Sequence, residues 1–119
     1  MVGLFKYPKR RLKKLVRDGE YDVAIEFGKS LESQYSDDPD FMFIMGSVFY
    51  ILEESERALH YFEKSFQLND SDVETLSLKT NVHLSLGQKD DAIDCCYRIL
   101  KLHPKNSEAK ELLEKLEKI

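Results

Sequence analysis

The 119-residue sequence predicts an all-α solenoid, with three antiparallel helix pairs followed by a seventh, terminal helix. Three observations predict it. Ala24, Ala58 and Ala92 recur every 34 residues, each followed by a branched aliphatic residue, Ile25, Leu59 or Ile93. A fixed period of that length marks stacked two-helix units, each burying its face only against its neighbours. Within every unit apolar residues return after three or four positions, the spacing of one helix face. Only five Gly and three Pro occur, too few for a fold of many short strands and tight turns.

The first helix is expected at about 4–17, with Leu12, Leu15 and Val16 on its apolar side. Gly19 follows where the chain turns back, and glycine takes the left-handed conformation there without a Cβ penalty. The second helix, 21–35, carries Ala24 and, one turn on, Gly28. The third, 39–52, opens at Pro39, where a missing N–H costs nothing, and Asp37-Asp38-Pro39-Asp40 reads as its cap. It is apolar nearly all round, which suits a helix at the centre of a stack or one offering an apolar stripe. The fourth, 55–68, holds Ala58 and Phe62. Ser71-Asp72-Val73-Glu74 has capping-box spacing and opens the fifth, 72–86, which ends at Gly87. The sixth, 89–102, begins with Asp90 and Asp91, where the helix dipole favours acids. Pro104 precedes the seventh, 106–118, whose Leu112, Leu113 and Leu116 face inward. The period also aligns Leu12, Gly46 and Thr80; Leu15, Phe49 and His83; and Gly28, Phe62 and Cys96. A methyl where paired helices cross permits axes about 8 Å apart, so a larger side chain at Ala58 would wedge them.

Composition narrows the function. Hydrophobic residues make up 42% and charged residues 34%, as in a soluble globular protein. A net charge of −4 argues against a nucleic-acid module that is basic throughout. The longest apolar run, Phe41 to Leu52, reaches about 18 Å as a helix, too short to cross a bilayer. No signal peptide is recognisable. Met1 suggests a natural start and the last helix a natural end. Cys95 and Cys96 are adjacent, a poor geometry for a disulfide, and no His stands at ligand spacing, so both read as helix residues in a reducing compartment. A cytoplasmic protein is expected.

No catalytic constellation emerges. His60, His83 and His103 have no His or Cys at i,i+4. His83 replaces an aromatic packing residue and reads as a satisfied interior imidazole. The acidic 37–40 stretch lacks the Gly and distal Glu of a calcium loop, and no glycine-rich phosphate loop is present. No enzymatic activity, small-molecule substrate, cofactor or metal is expected.

Gly46, Phe49, Ala58 and Phe62, with the 34-residue period, resemble the signature of the tetratricopeptide repeat (TPR) family. The third repeat keeps Leu76, Gly87, Ala92 and Pro104 but departs at Thr80 and His83; the first keeps Gly19, Tyr21 and Ala24 but carries Leu12 where a small residue is usual. The resemblance covers about residues 5–106. It implies one right-handed solenoid domain with repeats at about 5–38, 39–72 and 73–106, and a capping helix at 106–119.

The resemblance further implies a concave groove lined by the first helix of each pair. Carried over, it names Lys6, Lys9, Arg10, Lys13, Val16 and Arg17 from the first repeat. The second supplies Asp40, Phe43, Ile44, Ser47, Tyr50 and Ile51, and the third Glu74, Ser77, Leu78, Asn81, Leu84 and Ser85. Glu111 and Lys115 would come from the cap. From Lys6 to Arg17 the chain has seven cations and no acid; the net −4 less those seven positive charges leaves −11 for the remainder. Such asymmetry steers an acidic ligand to one end. The function expected is a non-catalytic adaptor binding a peptide that is acidic and apolar, with Phe43, Ile44 and Tyr50 as apolar contacts and Lys9, Arg10 and Lys13 as charged ones. Some family members clamp the C-terminal carboxylate of heat-shock chaperones. That pattern is matched at Lys9 only: Lys13 and Ile44 stand for asparagines, and Glu74 and Leu78 for the remaining lysine and arginine. Chaperone-tail binding is therefore not expected. The alternatives are docking of the basic first helix, beside Phe5 and Tyr7, on anionic membrane or nucleic acid, and self-association through the solenoid end at Leu4 and Phe5.

Overall fold

A computed structural model describes residues 7–118. Among them the chain forms seven α-helices and no strand: α1 (Pro8–Arg17), α2 (Tyr21–Leu31), α3 (Pro39–Ile51), α4 (Ser55–Leu68), α5 (Val73–Ser85), α6 (Lys89–Leu102) and α7 (Ser107–Glu117). Each helix packs on its successor, and α1 also meets α3. The stack measures 56 × 24 × 22 Å, with a radius of gyration of 15.7 Å. A compact domain of this length would have about 13.5 Å, so the molecule is elongated, as stacked units require.

Local chemistry explains most boundaries. Asp38 accepts from the Phe41 amide, Asp72 from Glu74 and Asn106 from Ala109, capping α3, α5 and α7. The α5 cap is thus Asp72 rather than Ser71; the Ser71 hydroxyl donates instead to Asn69 Oδ1. Pro8 and Pro39 each stand at a helix start. The first helix begins at Pro8 with Tyr7 as its N-cap, and the expected turn at 4–6 lies outside the described residues. Helix α2 stops at Leu31, short of the expected 35, and continues as turns to Asp37.

Gly19 and Gly87 turn the chain with φ of 77° and 72°, and the same place in the middle repeat is Glu53 at φ 60°. Repeat geometry imposes the left-handed residue there even where no glycine is supplied.

Ala24, Ala58 and Ala92 are all fully buried, as their 34-residue spacing predicts. The interior divides into a large cluster through α1–α4 that includes Phe41, Met45, Phe49 and Phe62, and a smaller one of Leu76, Cys95, Ile99 and Ala109. Where Gly46 passes α4, an added Cβ would stand 2.7 Å from two Phe62 ring atoms, so the ring fills the space a side chain would take. The first repeat reverses the sizes: Leu12 occupies the position of Gly46, and Gly28 that of Phe62. An added Gly28 Cβ would overlap the Met45 thioether, with Cε at 2.8 Å, while Leu12 Cδ1 would stand in ordinary contact at 3.7 Å. The third repeat uses two middle-sized residues, Thr80 and Cys96, both buried. Leu12, fully buried, therefore packs beside Gly28 while Met45 of the next helix fills the space a side chain there would take. His83 is buried too, its Nδ1 2.8 Å from Gln88 Oε1, so the imidazole is a satisfied interior group.

Candidate functional site

Polar contacts join the odd-numbered helices on one side of the stack. Lys13 Nζ on α1 lies 3.1 Å from Asp40 Oδ2 on α3. Asn81 Nδ2 on α5 donates to the Tyr50 hydroxyl on α3 at 3.2 Å. Ser77, Thr80 and Asn81 then share a crevice of about 80 Å³ with Asn106, Ala109 and Leu112 at α7. The odd-numbered helices thus form a continuous surface carrying most of the residues nominated from sequence.

Its centre is aromatic. Phe43 and Tyr50 are seven residues apart on α3 and both half-buried against the core cluster. Between them Gly46 leaves the gap entered by Phe62, whose ring centroid is 5.8 Å from that of Phe43 and 6.4 Å from that of Tyr50. The two outer rings therefore rest on a fully buried third ring, a platform with one face to the core and one open. Ser47 is half-buried beside them and donates to the Phe43 carbonyl at 2.8 Å. Ser77 is half-buried and Asn81 exposed. Ile44, expected to contact a ligand here, is 8% exposed and belongs to the core cluster, so it supports the platform from beneath.

Two lysines of the basic end, Lys9 and Lys13, are already paired. Lys9 Nζ approaches Asp38 Oδ2 at 2.8 Å and Asp40 Oδ2 at 3.3 Å, and Lys13 shares Asp40. The bond from Lys9 to Asp38, reinforced by Asp40, raises the Lys9 pKa. Burial alone would raise Asp38, but Lys9 and the Phe41 amide outweigh it and hold the carboxyl below its ordinary value. Arg10 is exposed with its guanidinium 6.0 Å from the Tyr7 ring centre, and Arg17 is exposed at the end of α1. A hollow of about 390 Å³ lies among Tyr7, Pro8, Lys9, Arg10, Lys13 and Tyr35. Lys6, Leu4 and Phe5 fall outside the described residues. Asp40 is the partner of both lysines, and the cation count along α1 gives no sign of it.

Leu12 is buried and Leu15 and Val16 pack against the core, so the apolar side of α1 is occupied within the fold. Among the described residues no helix is long and apolar enough to cross a membrane. Cys95 and Cys96 are free and buried, and burial raises both thiols.

The fold is of the TPR type. The first TPR of Spaghetti (RPAP3), bound to the HSP90 peptide SRMEEVD, is similar to this chain with a TM-score of 0.82 and 23% identity, covering 93% of this chain and 88% of that one. The MamA protein is similar with a TM-score of 0.86 and 17% identity, covering 98% of this chain and 63% of MamA. The type III secretion chaperone SycD of Yersinia enterocolitica, in complex with a peptide of the translocator YopD, is similar with a TM-score of 0.78 and 14% identity, covering 99% and 90%. No family model and no curated protein matches the sequence. These likenesses define the class, a TPR-type α-solenoid.

Proposed function

We propose that the chain is a non-catalytic adaptor that binds a peptide segment along the side formed by α1, α3, α5 and α7. The carrying observation is the platform of Phe43 and Tyr50 over Phe62: apolar area left open at the middle of the surface, on a rigid base. Half-buried aromatics held by the core lose little entropy when a ligand covers their open part, which is why such groups anchor interfaces. The peptide complexes of the RPAP3 TPR and of SycD show that scaffolds of this shape can take peptides. Apolar ligand side chains would cover Phe43 and Tyr50, polar ones would meet Ser47, Ser77 and Asn81, and acidic ones would approach Lys9, Lys13, Arg10 and Arg17 at the α1 end.

A chaperone-tail clamp is not the mode proposed. Ile44 is buried, Glu74 is exposed and negative, and Lys9 is engaged by two aspartates. Selection from a displayed peptide library tests the reading. Apolar-acidic sequences should be enriched by the native chain and lost with Phe43→Ala/Tyr50→Ala at unchanged helicity, while an SRMEEVD peptide should bind no better than its scrambled form. Peptides bound equally by the double variant would refute it.

A further inference from the structure

Resting on the peptide-groove reading, we propose that Asp40 sets the charge specificity of the Lys9–Lys13 pair at the basic end: it holds both ammoniums in place of a ligand, so an acidic segment engages these two lysines by exchanging its own carboxylates for that of Asp40. The two aspartates at the start of α3 differ in kind. Asp38 caps the helix through the Phe41 amide and also bonds Lys9 at 2.8 Å. Asp40 makes no cap bond; its Oδ2 lies 3.3 Å from Lys9 and 3.1 Å from Lys13, and its side chain is 47% exposed. It is the one partner that can swing away without uncapping α3, and its departure frees Lys13 entirely and half-frees Lys9.

The exchange has a consequence for selectivity. A lone ligand carboxylate would replace one exposed ion pair by another and leave Asp40 unpaired a few ångströms away, so it gains almost nothing. Two or more closely spaced acids can satisfy both ammoniums and offset that repulsion. The Lys9–Lys13 pair should therefore reject single carboxylates and accept acidic clusters adjoining the apolar segment that covers Phe43 and Tyr50. Removing the Asp40 charge should convert it into a general anion site.

The test uses the full chain, with acetyl-Leu-Leu-Phe-Glu-Glu-Glu-amide and its glutamine counterpart as fluorescent probes, and Asp40→Asn and Asp40→Asn/Lys13→Gln as variants. Helicity and amide spectra verify the fold. Asp40→Asn should bind the glutamate probe about three- to ten-fold more tightly than the native chain and show a steeper salt dependence, while binding of the glutamine probe stays unchanged. The double variant should lose that gain. If both probes bind the native chain and Asp40→Asn alike, the Asp40 proposal is overturned and the groove stands. If neither probe binds any variant, or binding survives Phe43→Ala/Tyr50→Ala, the groove reading falls and this inference falls with it.

Discussion

Gly46→Ala probes both the helix packing and the platform built on it. In an exposed helix interior the change would stabilise by about 0.5–1 kcal/mol, because alanine loses less backbone entropy than glycine. Here the new Cβ would lie 2.7 Å from Phe62 Cδ1 and Cε1 and 3.2 Å from Cγ. Carbon contacts are comfortable at about 3.5–4.0 Å, so the ring must retreat by nearly 1 Å. It has nowhere to go: Phe62 is fully buried, with Phe43 and Tyr50 flanking it. Overpacking of this kind costs about 1–3 kcal/mol and outweighs the propensity gain. The expected net loss is about 1–2 kcal/mol, a Tm lower by roughly 4–8 °C at this chain length. Phe62→Leu, destabilising by itself, should relieve the clash, so the double variant should be at least about 1 kcal/mol better than the sum of the single ones. Gly28→Ala should cost less, since its Cβ meets the flexible Met45 thioether rather than a locked ring. Urea unfolding followed by circular dichroism measures all four. Additive single effects, or a Gly46→Ala chain as stable as the native one, would refute the size-complementarity argument.

Three further outcomes follow from the same physics. Glu53→Gly should raise stability by about 0.5–1 kcal/mol, because φ of 60° suits glycine and strains glutamate; a loss in thermal melting would show that the Glu53 side chain contributes more than its backbone costs. Asp38→Asn keeps the α3 cap and removes only the charge. With the Asp38 pKa held below its ordinary 3.8, the charge stabilises above that value and ceases to do so as pH falls through the native pKa. The native chain should thus lead the variant by up to about 1 kcal/mol at neutral pH and lose that lead by about pH 2, in melts across the range. Cys95 and Cys96, buried with raised pKa values, should react with a thiol reagent at neutral pH only as fast as the chain opens; rapid labelling of the folded chain would contradict their placement.

The fold was legible because its strongest determinants are periodic. Three buried alanines 34 residues apart and apolar positions three and four apart place six helices and their pairing, and they stay readable when single positions vary. What resisted reading was pairwise. Leu12 looks like a departure until Gly28 is set opposite it, and Ser71 looks like a cap until Asn69 takes its hydroxyl. Glu53 carries no glycine signal although its backbone is in the same state as Gly19 and Gly87, because tertiary packing of the hairpin dictates φ and the residue complies.

The candidate site shows the same limit more sharply. Phe43 and Tyr50 are named by the lining sites that the family resemblance implies, but neither resemblance nor spacing says that Phe62 rises through the Gly46 gap to support them, nor that Ile44 turns inward. The excess of cations on α1 was plain, yet its meaning reversed once Asp38 and Asp40 came opposite Lys9 and Lys13. A one-dimensional charge count treats each lysine as available, whereas an ion pair across two helices makes availability conditional. Under the proposed reading, an acidic ligand would compete with the scaffold's own carboxylates, and its binding would depend on the difference between two similar ion pairs rather than on the total charge of α1. For a short solenoid with little area to offer, that difference is where selectivity could be set: on the proposed reading, the aromatic platform would supply attraction common to many apolar segments, and Asp40 would decide which of them could also place their acids.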